Sequence, residues 1–154
     1  MSSPNNPDLL GGGGGGYFST GAVAKVKSVS LRSGRFIDSI QLVYSTSQAS
    51  AVYGGGGGGT GSFSAAAGDE VIVAVTVKYG KYVDSLQFIT NKGTPSPWFG
   101  GTGGNSFTFN APPGTYLVGI QGRKGTYLDA FAPIWGTNPW CWCTIDLVLS
   151  LSDD

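Results

Sequence analysis

The sequence contains no histidine, only two cysteines and a single glutamate, Glu70, among its 154 residues. Without histidine, a Ser–His–Asp or Cys–His catalytic centre and a histidine metal site are excluded. Charged residues make up only 12% of the chain, and nine basic residues balance nine acidic ones. A neutral chain is poorly suited to binding nucleic acid or an anionic membrane surface through bulk charge. These absences favour a binding protein over an enzyme, and we expect no metal, no cofactor and no nucleic-acid partner.

Targeting signals are also missing. The first ten residues lack the charged and apolar regions of a signal peptide, and no apolar run approaches the ~20 residues of a membrane span. We therefore expect a cytoplasmic or otherwise soluble protein without membrane insertion. Cys141 and Cys143 are two positions apart, which on a strand places both side chains on one face with Cα atoms too distant for easy bridging. We interpret them as buried free thiols rather than as a metal or redox pair.

Glycine is abundant, with 27 residues, and its distribution is periodic. Six glycines occupy positions 11–16, six more occupy 54–59, and a third run, interrupted by a threonine, occupies 100–104, so the runs begin 43 and 46 residues apart. A Gly-x-x-x-Asp pattern recurs with the same period at 34–38, 80–84 and 125–129. Three copies of a two-part pattern indicate an internal repeat.

The segments between these landmarks predict strands. Residues 25–31 and 71–77 are rich in β-branched or alternating apolar residues, and 39–44, 85–90 and 116–120 have the same character. No segment has the apolar spacing of a helix. We predict an all-β domain spanning 1–154, with three antiparallel sheets of about four strands around a shared apolar axis. Residues 1–9 form a loosely ordered lead-in, and 140–154 an additional C-terminal strand or tail.

The recurrent turn has a chemistry that suits sugar hydroxyls. Glycine allows a tight turn that exposes backbone N–H groups, and a carboxylate accepts two hydrogen bonds at once. The aromatic residue within each turn could add an apolar wall. The alternative is an ordinary hairpin turn in which the aspartate bonds to local N–H groups, or a glycine-rich linker. Three turns in register with three glycine runs favour binding sites. The pattern predicts that all three aspartates sit on exposed turns. We therefore expect Asp→Ala at each of them to change the free energy of unfolding by less than about 1 kcal/mol.

The chain resembles the jacalin-related lectins over about residues 10–135, most specifically at 84–93, 99–104 and 122–130. The resemblance implies a β-prism I fold of three Greek-key antiparallel sheets with a pseudo-three-fold internal repeat. It also implies metal-independent binding of mannose or glucose. Galactose-preferring members carry a cleaved chain with a glycine as the new N-terminus, whereas ten residues precede Gly11 here. Mannose-containing glycans are the expected partners, and the tail could form a homodimer contact.

The resemblance further implies how each sugar site is built. A carboxylate accepts bonds from two hydroxyls, and the N–H groups of the two residues after the turn glycine donate, beside a glycine run from the same sheet. Asp38 and Asp84 each precede a glycine run by 16 residues, and Asp129 completes the ring with the first run. The predicted site residues are Arg35, Phe36, Asp38, Gly58 and Gly59; Lys81, Tyr82, Asp84, Gly103 and Gly104; and Thr126, Tyr127, Asp129, Gly15 and Gly16.

Two other functions are alternatives to sugar binding. A structural or assembly module could keep the β-prism without binding sugar, although such a scaffold does not need three intact aspartates. A glycosidase needs two carboxyl groups about 5–9.5 Å apart, and each predicted site contains one. We therefore predict a lectin that is not an enzyme.

Overall fold

The computed structural model describes residues 9–65 and 68–137. Within these ranges the chain forms twelve β-strands and no helix, which confirms the predicted all-β class. The strands are β1 (Leu10–Gly11), β2 (Gly16–Ser19), β3 (Val26–Ser33), β4 (Ile37–Tyr44), β5 (Tyr53–Gly54), β6 (Gly59–Ser64), β7 (Ile72–Tyr79), β8 (Val83–Thr90), β9 (Phe99–Gly100), β10 (Asn105–Asn110), β11 (Tyr116–Lys124) and β12 (Leu128–Gly136).

The strands form three four-stranded antiparallel sheets with the same connectivity. Their orders are β1-β12-β11-β2, β5-β4-β3-β6 and β9-β8-β7-β10. Each sheet has a central hairpin of two long strands, flanked by two shorter strands that follow one another in the chain. The glycine run joins these outer strands and crosses over the end of the hairpin. This Greek-key arrangement, repeated three times, confirms the predicted β-prism.

Alternation along the long strands places apolar residues on the inner face of each sheet. Val29 lies opposite Leu42 and Leu31 lies opposite Ile40 in the β3–β4 ladder, and all four are buried. The largest fully buried side chains are Phe88 and Phe131, which come from the other two sheets. The core cluster contains residues from all three sheets, so the inner faces pack around a common axis.

The third hairpin is longer than the sequence pattern predicts. β11 continues past residue 120 to Lys124, and β12 contains a proline, Pro133, which is opposite Ile120. A proline lacks the N–H that a central strand needs, but β1 pairs only with Ala130 and Phe131 of β12. Pro133 is therefore tolerated beyond the end of β1. Residues 1–8 of the predicted lead-in at 1–9, the predicted tail at 140–154, and Cys141 and Cys143 lie outside the described residues.

Candidate functional site

Each glycine run lies over the Gly-x-x-x-Asp turn of its own sheet, as chain order predicted. The fifth residue of each run makes the closest approach to the carboxylate. There is no room for a side chain at this position, because a Cβ atom would lie closer to Oδ1 than van der Waals contact allows. The three distances from such a Cβ to Oδ1 are 2.8 Å for Gly15 and Asp129, 2.6 Å for Gly58 and Asp38, and 2.8 Å for Gly104 and Asp84.

These three glycines also have backbone conformations that other residues adopt at a cost. Their φ angles are +69° at Gly15, +76° at Gly58 and +90° at Gly104. The equivalence corrects the predicted register of the glycine run at the Asp84 site. Gly104 matches Gly15 and Gly58, whereas Gly103 occupies the preceding position in the run, and Asn105 stands where the other runs have Gly16 and Gly59. The interrupting threonine obscured this one-residue offset in the sequence.

The expectation that all three aspartates sit on exposed turns is wrong. Asp38 is 7% exposed and Asp129 is 5% exposed, while Asp84 is partly buried. The glycine run crossing above each carboxylate reduces its exposure to water. Among the described residues, Asp129 Oδ1 is buried without a hydrogen-bond partner. A buried acceptor of this kind is costly unless a donor reaches the carboxylate.

Burial raises the pKa of all three aspartates above the ordinary 3.8. Positive charge partly opposes this increase. The nearby cation is Arg32 at Asp38 and Arg35 at Asp84, whereas Asp129 faces both Arg123 and Lys81. In each copy burial influences the pKa more than the nearby positive charge does. Ionisation of each aspartate is therefore less favourable in the folded protein than in water.

This gives a prediction for stability against pH. A carboxyl whose pKa is higher in the folded state binds more protons there than in the unfolded chain, so its contribution to the free energy of unfolding falls as pH rises through the folded pKa. We expect the stability of the wild type, relative to an Asp38→Asn/Asp84→Asn/Asp129→Asn variant, to decrease from pH 3.8 upward. Urea unfolding of both proteins across this range measures the difference. A difference that stays constant with pH would contradict the raised pKa values.

Two arginines that the sequence analysis did not select hold the glycine runs in place. Arg32 donates from Nε to Gly57 O and from Nη2 to Gly58 O, both at 3.0 Å. Arg123 bonds in the same way to Gly14 O at 2.9 Å and Gly15 O at 2.7 Å. In the Asp84 copy the corresponding residue is Lys78, whose Nζ lies 4.6 Å from the ring centre of Trp98. These residues could have been found from the sequence, because a basic residue stands two positions before each turn glycine.

The aromatic residues of the three turns pack against one another. Ring centroids are 4.9 Å apart for Phe36 and Tyr82, 5.0 Å for Phe36 and Tyr127, and 4.8 Å for Tyr82 and Tyr127, with planes inclined by about 60°. This tilted geometry is favourable for aromatic rings. The rings come from three different sheets, so the three turns converge at one end of the prism. Residues predicted to be walls of separate sites therefore form one shared cluster.

Backbone contacts also join each glycine run to the turn of a neighbouring sheet. The second glycine of each run lies directly against a backbone carbonyl: Gly12 against Lys81, Gly55 against Thr126, and Gly101 against Arg35. A Cβ at any of these glycines would collide with that carbonyl. The residue after each turn glycine therefore borders a second candidate site as well as its own, and the three sites form a closed ring.

The turns leave backbone donors available. Each turn is closed by a hydrogen bond from its glycine N–H to the carbonyl of the aromatic residue, at 3.0 Å in the first copy and 2.9 Å in the other two. The bond uses the glycine N–H rather than those of the two following residues, such as Arg35 and Phe36. Each copy thus combines one carboxylate, the N–H groups of a turn and an open glycine run.

Other features do not coincide with these loops. A groove of about 570 Å³ lies on the β5-β4-β3-β6 sheet and is lined by Arg32, Gln41 and Val52 among others, but by none of the three aspartates. In the ranges 9–65 and 68–137 no three His, Cys, Asp or Glu side chains are grouped as a metal site. The same ranges contain no helix of the length and hydropathy needed to cross a bilayer.

Comparison with known proteins shows what this chain is similar to. The family described as Jacalin-like lectin domain matches residues 8–133. A lectin from Malaysian banana is 24% identical, with a TM-score of 0.75 over 85% of this chain and 96% of that one. Artocarpin, solved with mannotriose, is 22% identical, with a TM-score of 0.76 over 84% and 95%. A prostate-specific WGA16 glycoprotein lectin is 26% identical, with a TM-score of 0.73 over 85% and 97%. Comparison with curated protein sequences found no match.

Proposed function

The chain belongs to the jacalin-like lectin family, and on that premise we propose that it binds mannose-type sugars at three metal-independent sites. Each site consists of one aspartate, the turn that carries it and the glycine run above it. The site residues are those predicted from the sequence, with Asn105 added at the Asp84 site.

The observation that carries this proposal is a glycine run lying against a carboxylate in three equivalent copies. A sugar hydroxyl can donate to the carboxylate and accept from a backbone N–H at the same time. Hydrogen bonds to an ionised group contribute about 1.5–3 kcal/mol each. A hydroxyl pair would therefore offset part of the unfavourable burial of Asp129, whose Oδ1 has no partner among the described residues.

The relatives support mannose as the sugar. Artocarpin has been solved with mannotriose and with methyl α-mannoside, and the related lectin from Champedak is a mannose-binding lectin. The glycine runs here also leave the loop surface free of side chains, which suits a ring with several hydroxyls. We extend mannose binding from those proteins to this chain.

The family and fold point to a non-enzymatic carbohydrate-binding protein. Each loop pair contains one aspartate, whereas glycoside hydrolysis ordinarily uses a pair of carboxyl groups. A purely structural module would gain nothing from three carboxylates whose burial raises their pKa. Sugar binding gives these aspartates a role that packing does not.

The number of sites can be counted by titration. We expect three equivalents of methyl α-mannoside per chain, each binding with a dissociation constant on the order of 1 mM, since a shallow loop site makes few contacts. Mannan, which can engage several sites at the same end of the prism, should bind ~10²–10⁴-fold more tightly. Calorimetry and NMR titration measure both values. A stoichiometry of one would show that two of the three turns are structural only.

Removal of divalent metal should leave binding unchanged. Calcium takes 6–8 oxygen ligands, usually with several carboxylates, and each proposed site supplies a single aspartate. We expect the affinity for methyl α-mannoside to be equal before and after treatment with EDTA. A loss of affinity that calcium restores would contradict the metal-independent site.

A further inference from the structure

Positive charge is concentrated at the end of the prism that holds the three turns. Of the nine basic residues in the sequence, six lie within two positions of a turn glycine: Arg32, Arg35, Lys78, Lys81, Arg123 and Lys124. The acidic residues of the described chain at this end are the three turn aspartates, which leaves an excess of three positive charges. The neutral overall composition conceals this separation.

The remaining charged residues within 9–65 and 68–137 lie towards the opposite end. Lys25 precedes β3 and bonds to Gly68 O at 2.8 Å, and Lys92 follows β8 and pairs with Asp69 at 3.3 Å. An eight-residue strand separates the two ends by about 25 Å. This distance is roughly three screening lengths at physiological ionic strength. A ligand at the turns is therefore largely screened from these charges.

Three of the six cations at this end are exposed side chains: Arg35, Lys81 and Lys124. Arg32 and Arg123 are held by glycine carbonyls, and Lys78 lies over Trp98. The exposed three do not belong equally to the three sites. Because the ring of backbone contacts places each turn beside a neighbouring site, Arg35 reaches the Asp84 site and Lys81 reaches the Asp129 site.

The Asp38 site receives no cation from its neighbouring turn. Thr126 occupies the position equivalent to Arg35 and Lys81, and it borders the Asp38 site through Gly55. Lys124 pairs with Gly16 in the β11–β2 ladder, whereas the equivalent residue at the Asp38 site is Ser33, opposite Gly59. The Asp129 site thus receives Lys81 from its neighbouring turn, and the Asp84 site receives Arg35 in addition to Lys81 of its own turn. The Asp38 site receives no cation from its neighbouring turn and has only Arg35 of its own turn.

We propose that these sites favour mannosides bearing an anionic group, such as phosphate or sulfate, and that Lys81 and Arg35 set this preference across the boundary between sheets. The inference rests on the proposed mannose binding and specifies its ligand class. The aspartate holds the sugar hydroxyls, and the neighbouring turn supplies the cation for the substituent. The preference is weakest at the Asp38 site, whose neighbouring turn carries Thr126 in place of a cation.

The test uses NMR titration of the ¹⁵N-labelled chain, with the N–H groups of Gly15, Gly58 and Gly104 reporting on the separate sites. The ligands are methyl α-mannoside, mannose 6-phosphate and mannose 6-sulfate, with inorganic phosphate and a short oligothymidylate as sugar-free anions. At low salt we expect both anionic sugars to bind about tenfold more tightly than methyl α-mannoside at the Asp129 site. At 0.5 M salt, where the screening length is about 4 Å, the ratio should fall below about threefold.

Variants assign the preference to single residues. Lys81→Gln should lower the ratio of anionic to neutral affinity at the Asp129 site, and Arg35→Gln should lower it at the Asp84 site. Thr126→Lys should raise it at the Asp38 site. Lys92→Gln, at the opposite end, is the matched control and should leave all three ratios unchanged.

The outcomes separate this inference from the proposed function. Absence of any shift with all three mannosides contradicts both. Equal affinities for neutral and anionic mannosides contradict the charge preference alone, as does a Lys81→Gln variant that lowers all three ratios equally. Binding of phosphate or oligothymidylate as tightly as the anionic sugars would show a general polyanion surface and overturn the inference. A preference for sulfate over phosphate, or the reverse, still supports it and identifies the substituent.

Discussion

Replacing Asp38, Asp84 and Asp129 together by asparagine is expected to abolish binding to mannan while the protein remains folded. Each substitution removes an ionised acceptor of two hydroxyl bonds, worth about 3 kcal/mol or more at its site. A site with a dissociation constant of ~1 mM would then bind more than a hundredfold less tightly. Mannan pull-down and calorimetry with methyl α-mannoside measure the loss.

Asparagine is the appropriate substitution because the carboxylates lie beneath the glycine runs, with Asp38 and Asp129 buried and Asp84 partly buried. Alanine would remove atoms that fill the space below the run and leave a void, so the expectation of a small effect from Asp→Ala no longer holds. Asparagine keeps the shape and removes the buried charge. We expect the free energy of unfolding at pH 7 to be no lower than in the wild type, as urea denaturation can show. A folded triple variant that still binds mannan would disprove the site assignment.

Gly58→Ala is expected to damage both stability and sugar binding at its site, whereas Gly56→Ala, two positions earlier in the same run, should affect neither. Gly58 has a φ of +76°, and a Cβ there would lie 2.6 Å from Asp38 Oδ1 and 2.7 Å from the carbonyl carbon of Ser33. The left-handed conformation alone costs about 1–2 kcal/mol for a non-glycine residue. Displacing the carboxylate adds to that cost and moves the proposed hydroxyl acceptor.

Gly56 provides the matched control because nothing lies within 4 Å of a Cβ placed on it. The third glycine run contains a natural version of this substitution, since Thr102 occupies the position equivalent to Gly56. Urea unfolding and NMR titration with methyl α-mannoside compare the two variants with the wild type. Equal losses in both would mean that general flexibility of the run, rather than its contact with Asp38, determines the site.

Much of the candidate site could be predicted because its parts are local in sequence. The Gly-x-x-x-Asp turns at 34–38, 80–84 and 125–129 identify the three hairpins, and the spacing of the glycine runs predicts which run accompanies which turn. The one error of register, at Gly103 and Gly104, arose where a threonine interrupts the glycines. The pairing of residues 99–100 with β8 fixes the run from its first residue and resolves that offset.

The all-β class, the three repeats and the pairing of each aspartate with a glycine run follow from the sequence, because strand alternation, turn residues and period are all local along the chain. The burial of Asp38 and Asp129, the aromatic cluster of the three turns and the position of Lys81 at the site of Asp129 are visible only in the folded chain. These features depend on closure of three sheets around an axis. Closure brings together turns about 45 residues apart, and no local pattern records which neighbouring turn a glycine run will contact.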